Sequence, residues 1–246
     1  SFKLRGSYGK VGNVGGLADF GSLSLYGGTL FGGTSALIFT QAGNPLLKWE
    51  SSKKTDVGFT FGLFNDIVTG EFTYYNNNNE DLIYNVPYAP SVGLPNNITQ
   101  NVASMYNRGV EINVSATPIK NEFRWNTSLN ITTNKNEVTS LAPEAGITQF
   151  TTSTSSLETV NITKVGLPVG TLFVTRTDGV DPATGRRIFI NANGEQVYFQ
   201  LVPPAGQFRY SYADGSLAPN VSSADAQPYK NTNPKIFGGW DNTVSY

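Results

Sequence analysis

The chain has 246 residues, of which 39% are hydrophobic and 12% aromatic, and its 17 basic and 18 acidic side chains leave a net charge of −1. The aromatic content argues against disorder, and scattered basic residues argue against a nucleic-acid-binding surface. Because the chain has no cysteine and no histidine, it has no disulfides, no thiolate nucleophile, no imidazole zinc site and no histidine-dependent catalytic triad.

Strict alternation begins at the first residues. Positions 2–8 alternate, which predicts a strand with one apolar and one polar face. The apolar members are Phe2, Leu4, Gly6 and Tyr8, and the polar members are Lys3, Arg5 and Ser7. Residues 240–246 alternate in the same way. Since both ends of the chain lie inside such a pattern, we expect the chain to be a piece of a longer protein.

The next predicted elements are a glycine-rich loop and two strands. Residues 10–42 read as loop, with a short hairpin at 36–40, and their glycines lack the spacing of nucleotide-binding motifs. Alternating residues at 57–63 and 68–75 then predict two strands joined by a tight turn at Asn65-Asp66. A polar run at 76–81 ends the second of these strands.

A loop of roughly 25 residues is predicted next. It is marked by Pro87, Pro90 and Pro95 and carries Tyr84 and Tyr88. On an outer loop, these two tyrosines could stack on a sugar or contact a partner protein, and the simpler alternative is packing within the loop. They are the candidate ligand or partner contacts of this region.

The clearest pattern in the chain is the hairpin at 106–138. Residues 110–116 and 125–132 alternate on either side of a predicted turn at 118–121. Each alternating run is about the 9 to 11 residues that a tilted strand needs to cross a bilayer. In a soluble sandwich the apolar face packs on a second sheet, whereas in an outer-membrane barrel it faces lipid. The hairpin alone leaves both folds open.

The order of the connections favours the barrel. The longest connection, from about 139 to 234, carries predicted hairpins around Gly185 and Gly194, and a structureless loop of that length would count against a compact soluble domain. Long connections alternate with short turns along the whole chain, as in barrels that keep short turns in the periplasm and long loops outside. Phe123 and Trp125 then lie near the inner interface. The predicted fold is all-β: an antiparallel transmembrane barrel fragment of about six spanning strands with long extracellular loops.

The polar face of such a barrel lines its lumen. Seven residues are the predicted lumen-lining candidates: Lys3, Arg5, Glu71, Glu111, Asn113, Asn126 and Asn130. Glu71 and Glu111 could also be read as the paired carboxylates of a glycosidase, but lumenal charge explains them more simply. Oxygen-bearing residues at 178–195 could suggest calcium, but ordinary turn chemistry accounts for them. No catalytic residue, metal site or cofactor is predicted.

Four motifs in the chain resemble one family. Residues 44–50 (NPLLKWE), 107–112 (NRGVEI), 181–185 (DPATG) and 233–239 (NPKIFGG) are similar, in this order, to motifs of the SusC/RagA-like TonB-dependent transporters. The resemblance implies that residues 1–246 are part of one barrel domain of about 22 strands. The plug domain and the remaining strands would lie outside this chain.

The same resemblance implies a function. It points to active import of glycans, oligosaccharides or peptides across the outer membrane of a Gram-negative bacterium, not to an enzyme. The implied partners are a SusD-like surface lipoprotein, TonB acting through an N-terminal region absent from this chain, and the lipid bilayer. Two alternatives stay open: a SusC-like structural subunit of a larger outer-membrane assembly, and a soluble carbohydrate-binding β-sandwich.

Overall fold

The computed structural model describes residues 1–15, 17, 19–87, 91, 97–141, 149–154 and 158–246. The chain divides into two compact units: the sheet unit, Ser1–Thr148 with Pro234–Tyr246, and the inserted unit, Gln149–Asn233. The strands in chain order are β1 (Phe2–Asn13), β2 (Leu25–Phe31), β3 (Thr34–Gln41), β4 (Glu50–Leu63), β5 (Val68–Pro87), β6 (Asn97–Lys120), β7 (Arg124–Leu141), β8 (Gln149–Thr154), β9 (Glu158–Lys164), β10 (Thr171–Val174), β11 (Arg176–Val180), β12 (Arg187–Ile190), β13 (Gln196–Phe199), β14 (Tyr210–Ser211), β15 (Gln227–Asn231) and β16 (Ile236–Ser245).

The sheet unit is built on one six-stranded antiparallel sheet. Its strand order is β1-β4-β5-β6-β7-β16, so the strands lie side by side in chain order. These are the six strands that alternation predicts, and the prediction is confirmed. Within the residues described, no helix is long and apolar enough to cross a membrane.

Two short turns join strands at one end of this sheet. Between β4 and β5 the backbone has positive φ at Phe64, Asn65 and Asp66, which confirms a tight turn at Asn65-Asp66. Between β6 and β7 the turn lies at residues 121–123, not at 118–121 as predicted. Pro118 sits instead in a register shift inside β6, where a residue without a backbone N–H can be accommodated.

The connections at the other end are longer and contain more strand than the sequence predicts. β2 and β3 form a hairpin around Gly32 and Gly33, whose φ values of 57° and 83° suit a two-residue turn. The predicted loop of about 25 residues is wrong, because β5 runs on to Pro87 and pairs with β6 from Asn97. Backbone hydrogen bonds between strands do not depend on side-chain polarity, so the ladder continues after the alternation has stopped.

The inserted unit contains more strands than the two hairpins that the sequence predicts. It contains two four-stranded antiparallel sheets, β15-β10-β9-β8 and β11-β12-β13-β14. The predicted hairpins around Gly185 and Gly194 are confirmed as β11–β12 and β12–β13. Ile162 and Val197 are buried there, and a 3-10 turn at Ser223–Asp225 begins with a capping box at Ser222.

Candidate functional site

Cross-strand pairing extends the alternation of each strand over the whole six-stranded sheet. Residues that pair across antiparallel strands project from the same face, so the sheet has one apolar and one polar face. The apolar face carries Phe2, Leu4, Val57, Phe59, Phe61, Phe72, Tyr74, Val110, Ile112, Val114, Leu129, Ile131 and Trp240. The polar face carries Lys3, Arg5, Thr60, Glu71, Thr73, Tyr75, Glu111, Asn113, Asn126, Asn130 and Thr132.

Six of the seven predicted lumen-lining residues fall in two neighbouring rows of the polar face. The first row runs from β1 to β7 through Lys3, Thr60, Glu71, Asn113 and Asn130. The second row runs through Arg5, Gly58, Thr73, Glu111 and Thr132. Asn126 lies on the same face nearer the short turns, where its amide oxygen accepts a 2.9 Å hydrogen bond from the Thr117 hydroxyl.

Arg5 joins two strands of the polar face across the strand between them. Its guanidinium donates to the carboxylate of Glu71 and to the hydroxyl of Thr73, both on β5, although β1 and β5 are separated by β4. The residue beneath this side chain on β4 is Gly58. A Cβ there would meet Phe72 O and Thr73, so glycine both permits close packing and leaves the path open for arginine.

Tyr75 repeats this arrangement farther along the sheet. Its hydroxyl donates to Asn134 Oδ1 at 2.9 Å and lies 3.3 Å from Thr133 O, both on β7. The strand between them is β6, and the residue that Tyr75 crosses is Gly109. A Cβ at Gly109 would collide with the Tyr75 hydroxyl and with Thr133 O. The sequence alone shows that β4 and β6 contain glycines. Only the strand register shows that Arg5 crosses Gly58 and that Tyr75 crosses Gly109.

Glu71 and Glu111 are diagonal neighbours on this face, because Glu71 pairs with Asn113 and Thr73 pairs with Glu111. Glu71 is held by Arg5 and also accepts a 3.4 Å hydrogen bond from Thr73. Because the Arg5 guanidinium engages this carboxylate in an ion pair, the arrangement suits a structural or binding role.

The two predicted tyrosine contacts have different outcomes. Tyr84 lies within β5, where it pairs with Gln100 and is exposed, so it stands on a strand and not on a loop. Tyr88 lies outside the described residues. Whether either tyrosine touches a ligand or partner stays a prediction.

The oxygen-bearing residues at 178–195 serve the turns of the inserted unit. Asn191 Oδ1 accepts from the backbone N–H of Asn193 and of Glu195, at 3.0 and 2.9 Å. Asp181 accepts from the Thr184 hydroxyl and from Ala183 N, and these hydrogen bonds hold the pKa of Asp181 below its ordinary value. Among the residues that the structure describes, no three acidic side chains come together to hold a metal.

A cluster of aromatic rings and arginines in the inserted unit has no counterpart in the sequence analysis. The Phe199 ring contacts Phe189 and Tyr210 with centroid distances of 5.9 and 5.1 Å. The guanidinium of Arg209 lies 5.4 Å from the Phe199 centroid, and Arg187 is the cross-strand partner of Phe199. Both arginines are exposed. The sequence does not predict this cluster, because its members lie in or next to three short strands, β12, β13 and β14, that are separated along the chain.

The chain matches a family model described as TonB dependent receptor-like, beta-barrel, over residues 1–240. TonB-dependent receptor P39 of Formosa agariphila is 38% identical over 146 residues, which cover 58% of this chain and 14% of that receptor. TonB-dependent receptor SusC of Bacteroides thetaiotaomicron is 26% identical over 259 aligned positions, covering 99% of this chain and 23% of SusC.

Solved structures share the fold. The structure of the RagAB peptide transporter superposes with a TM-score of 0.74 at 24% identity, over 100% of this chain and 25% of the matched chain. The RagAB peptide importer in its "open-open" state gives a TM-score of 0.75 at 24% identity, over 100% and 24%. The chain therefore spans a quarter or less of the length of these relatives.

Proposed function

Because the chain belongs to the TonB dependent receptor-like β-barrel family, we propose that it forms six adjacent strands in the wall of an outer-membrane importer of a Gram-negative bacterium. The apolar face then contacts lipid and the polar face lines the lumen. The inserted unit, which follows β7 at the end opposite the short turns, lies outside the cell.

The observation that carries this proposal is the pairing of the two faces across all six strands. One row of the apolar face reads Phe2, Phe61, Gly70, Val114, Leu129 and Trp240 from β1 to β16. In hydrocarbon, every backbone polar group needs a hydrogen-bond partner, which strands achieve only in a closed barrel. The free edges of β1 and β16 are therefore proposed to pair with further strands of one barrel domain that also holds a plug.

The side chains of the polar face suit a cargo that carries hydroxyl or amide groups. The two rows of this face combine two basic side chains, two acidic side chains and two side-chain amides, so opposite charges are balanced. Amides both donate and accept hydrogen bonds, as do sugar hydroxyls and peptide groups. We propose an oligosaccharide or a peptide as cargo, captured outside with the help of a SusD-like lipoprotein and imported with energy from TonB.

Arginine placed on each face tests the membrane placement. In the intact outer-membrane protein, Leu129→Arg puts a charge on the apolar face near its centre, whereas Asn130→Arg puts the same charge on the polar face one residue away. Near the bilayer midplane we expect a cost of about 2 to 4 kcal/mol for the first change and a far smaller cost for the second. Denaturant titration of the purified protein measures both. Equal tolerance of the two changes would exclude lipid contact and favour a soluble sandwich.

Uptake assays test the import activity separately. Cells that carry the intact protein should accumulate labelled oligosaccharides or labelled peptides, and removal of TonB should abolish this accumulation. The polar-face variant Glu111→Lys should weaken uptake while leaving barrel assembly intact, because it reverses a charge next to the proposed path. A correctly assembled barrel with no TonB-dependent uptake of either class would identify a structural subunit instead.

A further inference from the structure

Two cations face each other on the apolar side of the sheet, just beyond its last apolar row. Arg108 on β6 and Lys135 on β7 are direct cross-strand partners, and both side chains are exposed. Like charges directly opposite each other on neighbouring strands destabilise a sheet. Their juxtaposition therefore calls for a compensating negative charge.

The protein supplies that charge only in part. Lys135 Nζ lies 3.2 Å from a carboxylate oxygen of Glu137, which also accepts a 2.6 Å hydrogen bond from the Tyr106 hydroxyl. Arg108 stacks on the Tyr106 ring, with Cζ 4.4 Å from the centroid. Among the described residues, no carboxylate lies within ion-pair distance of Arg108. One Arg108 nitrogen donates a long, 3.4 Å hydrogen bond to the Tyr106 hydroxyl, and the other N–H groups of the guanidinium can still donate to a ligand.

The surroundings of the pair are also cationic. The neighbouring row on the same face contains Lys10 and Lys53, of which Lys53 is paired with Glu80 at 2.6 Å. These two rows therefore hold four cations and one carboxylate, Glu137, and Glu80 lies in the next row. A groove of about 330 Å³ adjoins Tyr106, and its lining includes Asn78, Ser104 and Ser140, whose amide and hydroxyl groups can donate hydrogen bonds. Glu80 also lines the groove, and both of its carboxylate oxygens accept hydrogen bonds from Lys53.

The height of the pair in the barrel identifies its surroundings. Trp125, at the short-turn end of β7, precedes Lys135 by ten residues. At about 3.4 Å per residue and a tilt of about 40°, ten residues rise about 26 Å, close to the apolar band of about 25 Å in outer-membrane barrels. If Trp125 lies at the inner interface, Lys135 and Arg108 lie at the level of the outer-leaflet headgroups.

We propose that Arg108, Lys135 and the groove beside Tyr106 form a site on the outside of the barrel for the phosphate group of an outer-leaflet glycolipid. Arginine and lysine both donate charge-assisted hydrogen bonds to phosphate oxygens. The acyl chains of the same lipid lie along the apolar rows below. One lipid molecule therefore contacts both the cationic pair, through its phosphate, and the apolar face, through its acyl chains. This inference rests on the proposed function, because it needs the apolar face to contact lipid.

Binding of lipid A by the purified intact protein in detergent micelles tests the site. The double variant Arg108→Gln/Lys135→Gln should bind bisphosphorylated lipid A at least about tenfold more weakly than the wild type, since it loses several charged hydrogen bonds. The matched control Lys3→Gln/Lys54→Gln removes two charges from the polar face and should bind as the wild type does. The charge-conserving variant Arg108→Lys/Lys135→Arg should retain most of the affinity.

Two further probes separate the lipid from a free anion. Dephosphorylated lipid A should bind weakly and equally to the wild type and the double Gln variant, and inorganic phosphate should compete poorly because it has no acyl chains. Wild-type affinity of the double Gln variant for lipid A would overturn the proposal, as would efficient competition by inorganic phosphate. Tolerance of Leu129→Arg would instead overturn the membrane placement itself, so the two failures are distinguishable.

Discussion

In the six-stranded sheet, strands of 10 to 24 residues carry an apolar face on which several large side chains are exposed, as Trp240 is at 71%. In the inserted unit, strands of 2 to 7 residues surround buried side chains, and Ile162 is only 1% exposed. In the proposed membrane placement the first region meets lipid, whereas the second buries apolar side chains among its own short strands. Substitutions of the same kind should therefore have different effects in the two regions.

Removing a large apolar side chain gives the largest expected contrast. Ile162→Ala in the inserted unit should cost about 2 to 5 kcal/mol, because it leaves a cavity among buried atoms. Ile236→Ala in β16 should cost less than about 1 kcal/mol, because that side chain is 67% exposed and acyl chains can fill the space. Hydrogen exchange followed by mass spectrometry measures the local stability around each residue. If both substitutions reduced local stability by the same amount, the sheet and the inserted unit would not differ in how they bury apolar side chains.

Glycine substitutions contrast crowding with backbone strain. At Gly109 an added Cβ meets Thr133 O and the Tyr75 hydroxyl, so Gly109→Ala should cost about 1 to 3 kcal/mol. At Gly185 an added Cβ meets nothing within 4 Å, but φ is +72°, so Gly185→Ala should cost about 1 kcal/mol through strain.

Asparagine separates the two mechanisms, because it tolerates positive φ but is larger than alanine. Gly185→Asn should therefore be milder than Gly185→Ala, while Gly109→Asn should be worse than Gly109→Ala. Gly9→Ala, in the same sheet and with open space around its Cβ, is the control for a general effect of alanine. Thermal unfolding of the assembled protein measures the stability of each variant. If asparagine were milder than alanine at both positions, or worse at both, the assignment of crowding to Gly109 and strain to Gly185 would be wrong.

The same contrast explains how far the sequence could predict the structure. Residues alternate at 57–63 and 110–116 because the two faces of the strand differ in polarity. In these two segments the predicted strands and faces are confirmed. Beyond Tyr75 the two sides of β5 no longer differ in polarity, so the pattern stops although the strand continues to Pro87. Apart from the hairpins around Gly185 and Gly194, the strands of the inserted unit escaped prediction for a similar reason, since they are too short to show a period.

The contacts of the candidate site depend on register, which a single strand does not encode. Lys3, Glu71 and Asn113 could be assigned to a polar face from parity alone. That Arg5 crosses Gly58 to reach Glu71 follows only from pairing across three strands.

The ion pair between Arg5 and Glu71 should contribute little stability by itself. Their side chains are 45% and 37% exposed, so solvent screens the pair, and a double-mutant cycle with Arg5→Gln and Glu71→Gln should give a coupling of about 0.2 to 1 kcal/mol. A parallel cycle with Lys3→Gln and Glu71→Gln should give a smaller value, because these two side chains share a row without forming an ion pair. A much larger coupling energy between Arg5 and Glu71 would mean that water does not reach this part of the polar face to screen the pair.

The smallest expected effect is a pH dependence confined to the turns of the inserted unit. The Thr184 hydroxyl and Ala183 N hold the pKa of Asp181 below its ordinary value. A carboxyl whose pKa is lower in the folded state stabilises that state above its unfolded pKa, about 3.9, and the contribution is lost as the pH falls through the folded pKa. Hydrogen exchange at residues 181–186, corrected for intrinsic rates, should therefore accelerate below about pH 4.

Thr184→Val removes the main cause of this lowered pKa, so it should weaken the turn at neutral pH and flatten its pH dependence. The turn at Asp214 provides an internal control, because the Ser216 hydroxyl lowers the pKa of Asp214 independently of Thr184. Its acid sensitivity should persist in the Thr184→Val protein. An unchanged pH profile at 181–186 would show that the Asp181 carboxylate does not hold this turn, and that the backbone geometry at Gly185 is sufficient to form it.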